Sequence, residues 1–506
     1  MPQPIELERS SPEAEGIPSA AVLEFIHALE QHVHPLSAVQ GFMLLRHGNV
    51  AAEGWWTPYS PRSRHPLQSL SKSFTSSAIG LAIQEGLLTV NDPVLQFFPD
   101  DAPTHPSENL KAMRVKHLLS MNTGHDQDTT ERVYQHLYQI NVFGPWLHQR
   151  KYMAAHPESP DDNWPQVFLS LPVAHEPGSW FVYNTAATYM LSAIVTKLTG
   201  QSLVDYLRPR LFEPLGIESP FWETDPQGIN LGGSGLHGTV EEIARFGQMY
   251  LQKGIWNGKR ILTEEWISEA TSIHSDNSNT QTNPDWTAGY GYQFWRCCYN
   301  CYRGDGAFGQ FCVVMPEQDA VLAVIGGLLD MQSVLDKVWR ILLPAMQTEA
   351  LHGDPRGNEK LLQKQSRLSL PLSSGQPVSP TIDRWSGRSY KLGPNYLELE
   401  TIALEFREGG SKLILRDQRG DHTIEVGYGD WLKGTTSLRG YADEPVAANG
   451  AWTAEDIYEV RLCYDQSFFC PIFRFRYIGT ELQIQIEPNV SWEPSKVTTI
   501  HARLTG

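Results

Sequence analysis

Ser69 and Lys72 lie three residues apart in the run Leu67-Gln68-Ser69-Leu70-Ser71-Lys72-Ser73-Phe74, and on a helix that spacing puts both on one face. A lysine held one turn from a serine can take the serine proton once burial lowers its ammonium towards neutrality, leaving the hydroxyl oxygen as a nucleophile. The Ser-x-x-Lys tetrad occurs once in the chain, and no Gly-x-Ser-x-Gly elbow competes with it. Taken alone, the same four residues also describe a serine helix cap followed by a solvated lysine.

The elements that must position this pair are legible. Phe74, Ala78, Ile79, Ala82 and Ile83 form one apolar helical stripe, and Gly86 stands where a terminating glycine belongs. Ser69 therefore falls at or near a helix N-terminus, where free N–H groups favour developing negative charge. Residues 19–33 read as an amphipathic helix, and residues 41–54 as a hairpin turning at His47-Gly48-Asn49. A second long helix follows Tyr183-Asn184 and runs through Met190, Leu191, Ile194, Val195 and Leu198 to Gly200. Further helices fit 203–212, 240–253 and 263–270. A hairpin joins Phe311–Met315 to Ala320–Ile325, and a helix covers roughly 331–346. Strands at both ends thus bracket a helical middle, which predicts one antiparallel sheet built from both ends with helices packed on it. Residues 125–170, aromatic-rich and irregular, suit a cleft wall. Residues 351–380 are polar, rich in Ser, Pro and Gly and aperiodic, and read as a linker. Beyond Trp385 short alternating runs such as 396–400, 473–477 and 481–486 predict an all-β sandwich or small barrel.

The bulk composition narrows the classes of function. With 506 residues, 41% hydrophobic and 19% charged, the chain is a globular protein of two or three domains. A formal net charge of −17 argues against nucleic acid or an anionic membrane surface as a partner. The first residues have neither a basic stretch nor an apolar one, and no apolar run approaches a membrane span, so the expected location is the cytoplasm. Cys297, Cys298 and Cys301 invite a metal or redox reading, but no second Cys-x-x-Cys or nearby histidine pair completes a zinc site. The expectation is reduced, partly buried thiols, with no metal and no cofactor.

In this order, the motifs of residues 1–347 resemble those of the serine β-lactamase and penicillin-binding-protein superfamily, especially its cytosolic esterase- and amidase-like members and the class C β-lactamases. The first motif falls on Ser69 and Lys72. The second, a tyrosine followed two residues later by asparagine, falls on Tyr183-Asn184-Thr185, with threonine in the asparagine position. Gly235-Leu236-His237-Gly238-Thr239 and Gly289-Tyr290-Gly291-Tyr292 also resemble family stretches. The third motif, a Lys or His two residues before a glycine, falls on Gly304-Asp305-Gly306, where the basic residue is missing.

The resemblance implies an α+β fold: a β-lactamase-like antiparallel sheet flanked by helices, with an all-helical subdomain. It assigns residues 1–350 to the hydrolase domain, 351–380 to the linker and 381–506 to an all-β barrel or sandwich resembling the lipocalin-like barrels appended to some members. It also implies a Ser69 acyl-enzyme with Lys72 and Tyr183 sharing the proton work. Tyr183 would act as a phenolate whose pKa the neighbouring ammonium lowers. The oxyanion hole falls on the N–H groups of Ser69 and Ala307. Thr185, Asp305, Gly306, Tyr292, Trp295, Phe308 and His125 are candidate substrate-binding residues, with Phe294 a further candidate for an apolar acyl pocket and His237 a possible cleft residue. Without a basic residue at Gly304, and with Asp305 beside it, a neutral ester, amide or short peptide suits the site better than a substrate carboxylate. β-Lactamase or D-amino-acid peptidase activity remains an alternative, as does a non-catalytic binding or scaffolding descendant. The barrel's role as lid, ligand carrier or homo-oligomer contact stays open.

Overall fold

Strands from both ends of the first 330 residues meet in one sheet. The computed structural model describes residues 7–31, 37–134, 163–280, 282–395, 397–439, 444–491 and 497–505. The sheet comprises β1 (Ala38–Arg46), β2 (Asn49–Trp55), β3 (Trp295–Arg296), β4 (Tyr302–Gly306), β5 (Gln310–Met315) and β6 (Ala320–Gly327), in the order β2-β1-β6-β5-β4-β3. β1 runs antiparallel to β6, with Leu44 opposite Leu322, so the early hairpin completes a sheet whose other strands come late in the chain.

β5 and β6 are buried along their whole length, because helices cover both faces. Phe42 and Leu44 face a core shared with α1 (Ser19–Glu30) and the helical run 332–345. Met43 and Leu45 face the larger core, which contains α2 (Ser71–Gln84), α3 (Thr185–Thr199) and α4 (Val240–Leu251). α2 is buried on every side from Ser71 to Ala82, and Phe74 stacks on Phe246 of α4 at 3.9 Å. An all-round buried helix is a rigid base for a side chain at its first turn.

The C-terminal part is a barrel. Its strands are β7 (Ser389–Leu392), β8 (Thr401–Arg407), β9 (Gly410–Asp417), β10 (Gly420–Gly427), β11 (Leu432–Thr436), β12 (Glu444–Ala454), β13 (Ile457–Tyr464), β14 (Ile472–Ile478), β15 (Glu481–Glu487) and β16 (Thr498–Leu504). They follow one another as β10-β9-β8-β7-β16-β15-β14-β13-β12-β11, and a parallel pairing of β10 with β12 at Gly427 and Asn449 closes a ring of nine strands. Alternate residues such as Ile402, Leu404, Leu413, Leu415, Leu482 and Ile484 fill the interior, as a barrel of this size requires.

Two expectations need correction. The stretch 351–380 contains helix α5 (Pro355–Gln365), started by Asp354, whose side chain accepts from Gly357 N. Leu361 buries against the α1 side of the sheet, so this segment is packed rather than free. The run 396–400 is not a strand. Tyr396 lies outside the described residues, and Asn395 bonds the N–H groups of Leu397 and Leu399, holding a turn that delays β8 to Thr401. Most of the expected cleft wall, residues 135–162, also lies outside the described residues. Among the described residues no helix is long and apolar enough to cross a membrane.

Candidate active site

Ser69 sits in a single tight turn, Gln68–Leu70, that leads directly into α2. Gln68 before it has φ 50°, a left-handed conformation that is strained for a residue with a side chain. The bend leaves Ser69 half-buried at the edge of the cleft while Lys72, one turn on, is buried.

The Lys72 ammonium has three acceptors: Ser69 Oγ at 2.9 Å, Thr185 Oγ1 at 3.1 Å and the Gly233 carbonyl at 2.8 Å. Burial lowers its pKa to about 7, against the opposing pull of Asp128 and Asp305. Near neutral pH a large fraction of Lys72 is therefore the free amine, which has a lone pair for the Ser69 proton. Gly233 leaves no signature beyond a Gly232-Gly233 pair, because its contribution is a backbone carbonyl. A side chain there would meet Thr185 Cγ2 at 2.6 Å, so the glycine lets the loop reach α3.

Tyr183 precedes α3. Its ring lies 4.9 Å from Lys72 Nζ and stacks on Trp295 at 5.2 Å. The expected phenolate is not what this environment favours. Burial, with Asp305 adding to it, pushes the tyrosine well above its ordinary value, and the neighbouring Ser69 hydroxyl offsets only part of that. Tyr183 is a neutral phenol, which leaves Lys72 as the group of the cluster able to accept a proton near neutral pH.

β4 passes against the Ser69 turn. A Cβ on Gly306 would lie 2.1 Å from the Leu67 carbonyl oxygen, and one on Gly304 would lie 2.5 Å from both Leu70 Cδ1 and Ser73 Oγ. Ala307, half-buried, follows directly after this strand. Position 304, where the family has a basic residue, faces the Leu70 and Ser73 side chains, which a Cβ there would have to displace. Asp305 points the other way and pairs with Arg303, whose Nε donates to Asp305 Oδ2 at 2.7 Å. Arg303, which no motif singles out, is fully buried over the Trp286 ring at 4.3 Å.

Other candidates are spent elsewhere. Tyr292 stacks on His274 at 3.8 Å and directs its hydroxyl at Glu269. Phe294 packs between Tyr250 and Tyr302. His125 is a core histidine, its Nδ1 2.8 Å from Thr123 Oγ1 and its ring edge-on to Phe168, and burial lowers its pKa to about 4. His237 pairs with Glu223 at 3.2 Å. Phe308 turns its ring towards the barrel core instead of an acyl pocket. The six cysteines are all free, and Cys297 Sγ accepts from Arg303. Among the described residues no group of three His, Cys, Asp or Glu side chains is arranged to hold a metal ion.

A Ser-Lys-Tyr cluster built around the first turn of a helix, with its lysine buried and strand β4 of an antiparallel sheet beside it, defines a class of serine-hydrolase-like folds. The beta-lactamase family model matches residues 8–329, and the chain belongs to that family. It is 26% identical over 305 residues to the 6-aminohexanoate-dimer hydrolase of Paenarthrobacter ureafaciens, an alignment covering 58% of this chain and 74% of that protein. Among solved structures, a putative 6-aminohexanoate-dimer hydrolase from Bacillus anthracis superimposes with a TM-score of 0.52 at 18% identity, over 69% of this chain and 90% of that one. EstCE1, a hydrolase with promiscuous acyltransferase activity, gives a TM-score of 0.50 at 16% identity, over 63% and 99%. These two structural likenesses concern the fold.

Proposed function

We propose that the protein is a metal-independent serine hydrolase that cleaves a neutral ester or amide through a Ser69 acyl-enzyme. The observation that carries this reading is Lys72 Nζ, buried, with its pKa lowered to about 7, 2.9 Å from Ser69 Oγ.

In the first step Ser69 Oγ bonds to the substrate carbonyl carbon while its proton passes to the neutral Lys72 amine. The carbonyl oxygen, now negative, is held by the N–H groups of Ser69 and Ala307. Collapse of the tetrahedral species breaks the bond to the leaving alcohol or amine, which takes a proton from the Tyr183 hydroxyl as Lys72 reprotonates the tyrosine. Water then attacks the acyl carbon as its proton passes to the neutral Lys72 amine, and Ser69 leaves with that proton returned from Lys72. Thr185 and the Gly233 carbonyl keep the amine aimed at Ser69 throughout.

An amide as well as an ester suits the likeness to 6-aminohexanoate-dimer hydrolase. Recognition of a substrate carboxylate, as penicillins require, is disfavoured because glycine stands at 304 where the family has a basic residue, and Asp305 adds negative charge that Lys72 and Tyr183 both feel. A reducing cytoplasm suits six unpaired cysteines.

The test is hydrolysis of p-nitrophenyl butyrate, a matching anilide and nitrocefin by wild type and Ser69→Ala. Ester or anilide turnover lost in the variant, with little nitrocefin cleavage, supports the proposal. Strong nitrocefin turnover overturns the substrate argument, and no turnover together with no fluorophosphonate labelling of Ser69 favours a non-catalytic scaffold.

A further inference from the structure

The turn that presents Ala307 is strained, and the group that holds it belongs to the barrel. Phe308 has φ 68°, a left-handed conformation that is unfavourable for a residue with a side chain unless its surroundings enforce it. The turn's own hydrogen bonds run from Gly309 N to the Gly306 carbonyl at 3.2 Å and from Leu328 N to the Phe308 carbonyl at 2.9 Å. The Phe308 side chain joins the barrel core, its ring 5.1 Å from Phe468 and 6.5 Å from Phe469. Both partners lie in the loop 465–471 between β13 and β14.

That loop is itself pinned from both sides. The Phe468 carbonyl accepts from Gln40 Nε2 on β1 at 3.1 Å and from Asn489 Nδ2 of the barrel at 2.8 Å. Tyr59 donates to the Ser467 carbonyl at 3.1 Å, and Ser63 to Asp465 at 2.5 Å. A loop held at four points to the hydrolase domain and the barrel is a fixed wall, and the ring it clasps is one residue from Ala307.

We infer that the barrel loop Phe468-Phe469 is a positioning element of the oxyanion hole: by clasping Phe308 it fixes the left-handed turn that aims Ala307 N–H at the Ser69 site. The inference rests on the hydrolase reading for its catalytic consequence, and on packing alone for its structural one. It gives the barrel a part in the chemistry without any side chain touching substrate. Phe308 and Phe468 are positioning residues.

The experiment measures amide hydrogen exchange of the 304–311 segment and ester kinetics in Phe468→Ala and the milder Phe468→Leu. Leu413→Ala, inside the barrel on β9, is the control for general loss of barrel stability. Exchange in the turn should rise about tenfold in Phe468→Ala and not in the control, while kcat falls about tenfold or more with KM little changed, because a donor displaced by a fraction of an ångström weakens only the transition state. Unchanged exchange, or equal increases in Phe468→Ala and Leu413→Ala, overturns the inference. Faster exchange with unchanged kcat refutes the link to the oxyanion hole. Absence of Ser69-dependent turnover in the wild type would instead refute the hydrolase reading, while the exchange data would still decide whether the loop holds the turn. If Phe468→Ala does not fold, Phe468→Leu is read by the same criteria.

Discussion

Arg303 Nε and Asp305 Oδ2 lie 2.7 Å apart on the same face of β4, the guanidinium fully buried and the carboxylate 6% exposed. The Asp305 carboxylate is thus paired from its own strand. Asp305→Asn would leave a buried, uncompensated guanidinium, a loss of about 3–5 kcal/mol where one partner of such a pair is removed. Chemical denaturation should register that loss. Because Asp305 also favours the protonated form of Lys72, the acid limb of the pH–rate profile should move to lower pH in the variant. A variant with wild-type stability and an unmoved limb would show that the carboxylate neither holds Arg303 nor senses Lys72.

Lys72 is active in this scheme as the free amine. Below its pKa of about 7 the ammonium has no lone pair, so kcat/KM should fall about tenfold per pH unit on the acid side and level off above neutrality. Lys72→Arg keeps a positive charge that does not titrate in this range, and should lose at least about a hundredfold at every pH. A flat profile between pH 5 and 8 would remove Lys72 from the role of base.

The glycines of β4 are spacers. Gly304→Lys, which would restore the family's basic residue, should not create a carboxylate site. Its Cβ alone meets Leu70 Cδ1 and Ser73 Oγ at 2.5 Å, so those side chains at the base of the Ser69 turn must be displaced. Gly306→Ala pushes against the Leu67 carbonyl, a backbone atom that cannot swing aside. Both should cost about 1–3 kcal/mol or more in stability and most of the ester turnover. Gain of nitrocefin hydrolysis by Gly304→Lys would contradict this geometry.

The parts of the site that depend on side-chain identity and helical spacing were legible in the sequence: Ser69 and Lys72 on one turn, Tyr183 before an apolar helix, and a sheet assembled from both ends. The parts that depend on backbone groups or distant packing were not. Gly233 acts through a carbonyl, and Arg303 is buried with its ion pair to Asp305 on its own strand. Tyr292 and Phe308 have the composition of pocket residues, but His274 and Phe468 claim their rings, and those contacts join segments whose packing no local pattern encodes. Helix α5 carries little apolar periodicity because Leu361 is its one buried residue, though Asp354-Pro355 marked its start. The alternation of 396–400 mimicked a strand until the Asn395 side chain captured the backbone.

Thr185 stands where the family motif has asparagine, and its Oγ1 accepts from Lys72 Nζ at 3.1 Å. Thr185→Val keeps the volume and the contact with Gly233 but removes that acceptor. Ser69 Oγ and the Gly233 carbonyl then hold the amine alone. A single hydrogen bond of this kind contributes about 1 kcal/mol, so kcat should fall about fivefold with KM nearly unchanged. Thr185→Asn supplies a carbonyl oxygen in place of the hydroxyl and should keep most of the rate. A loss beyond a hundredfold in Thr185→Val that asparagine does not rescue would mean the hydroxyl relays a proton, because an amide oxygen can accept from Lys72 but cannot pass a proton on. No loss at all would mean the Gly233 carbonyl suffices to aim the lysine, and the family's asparagine position would be free to vary in this chain.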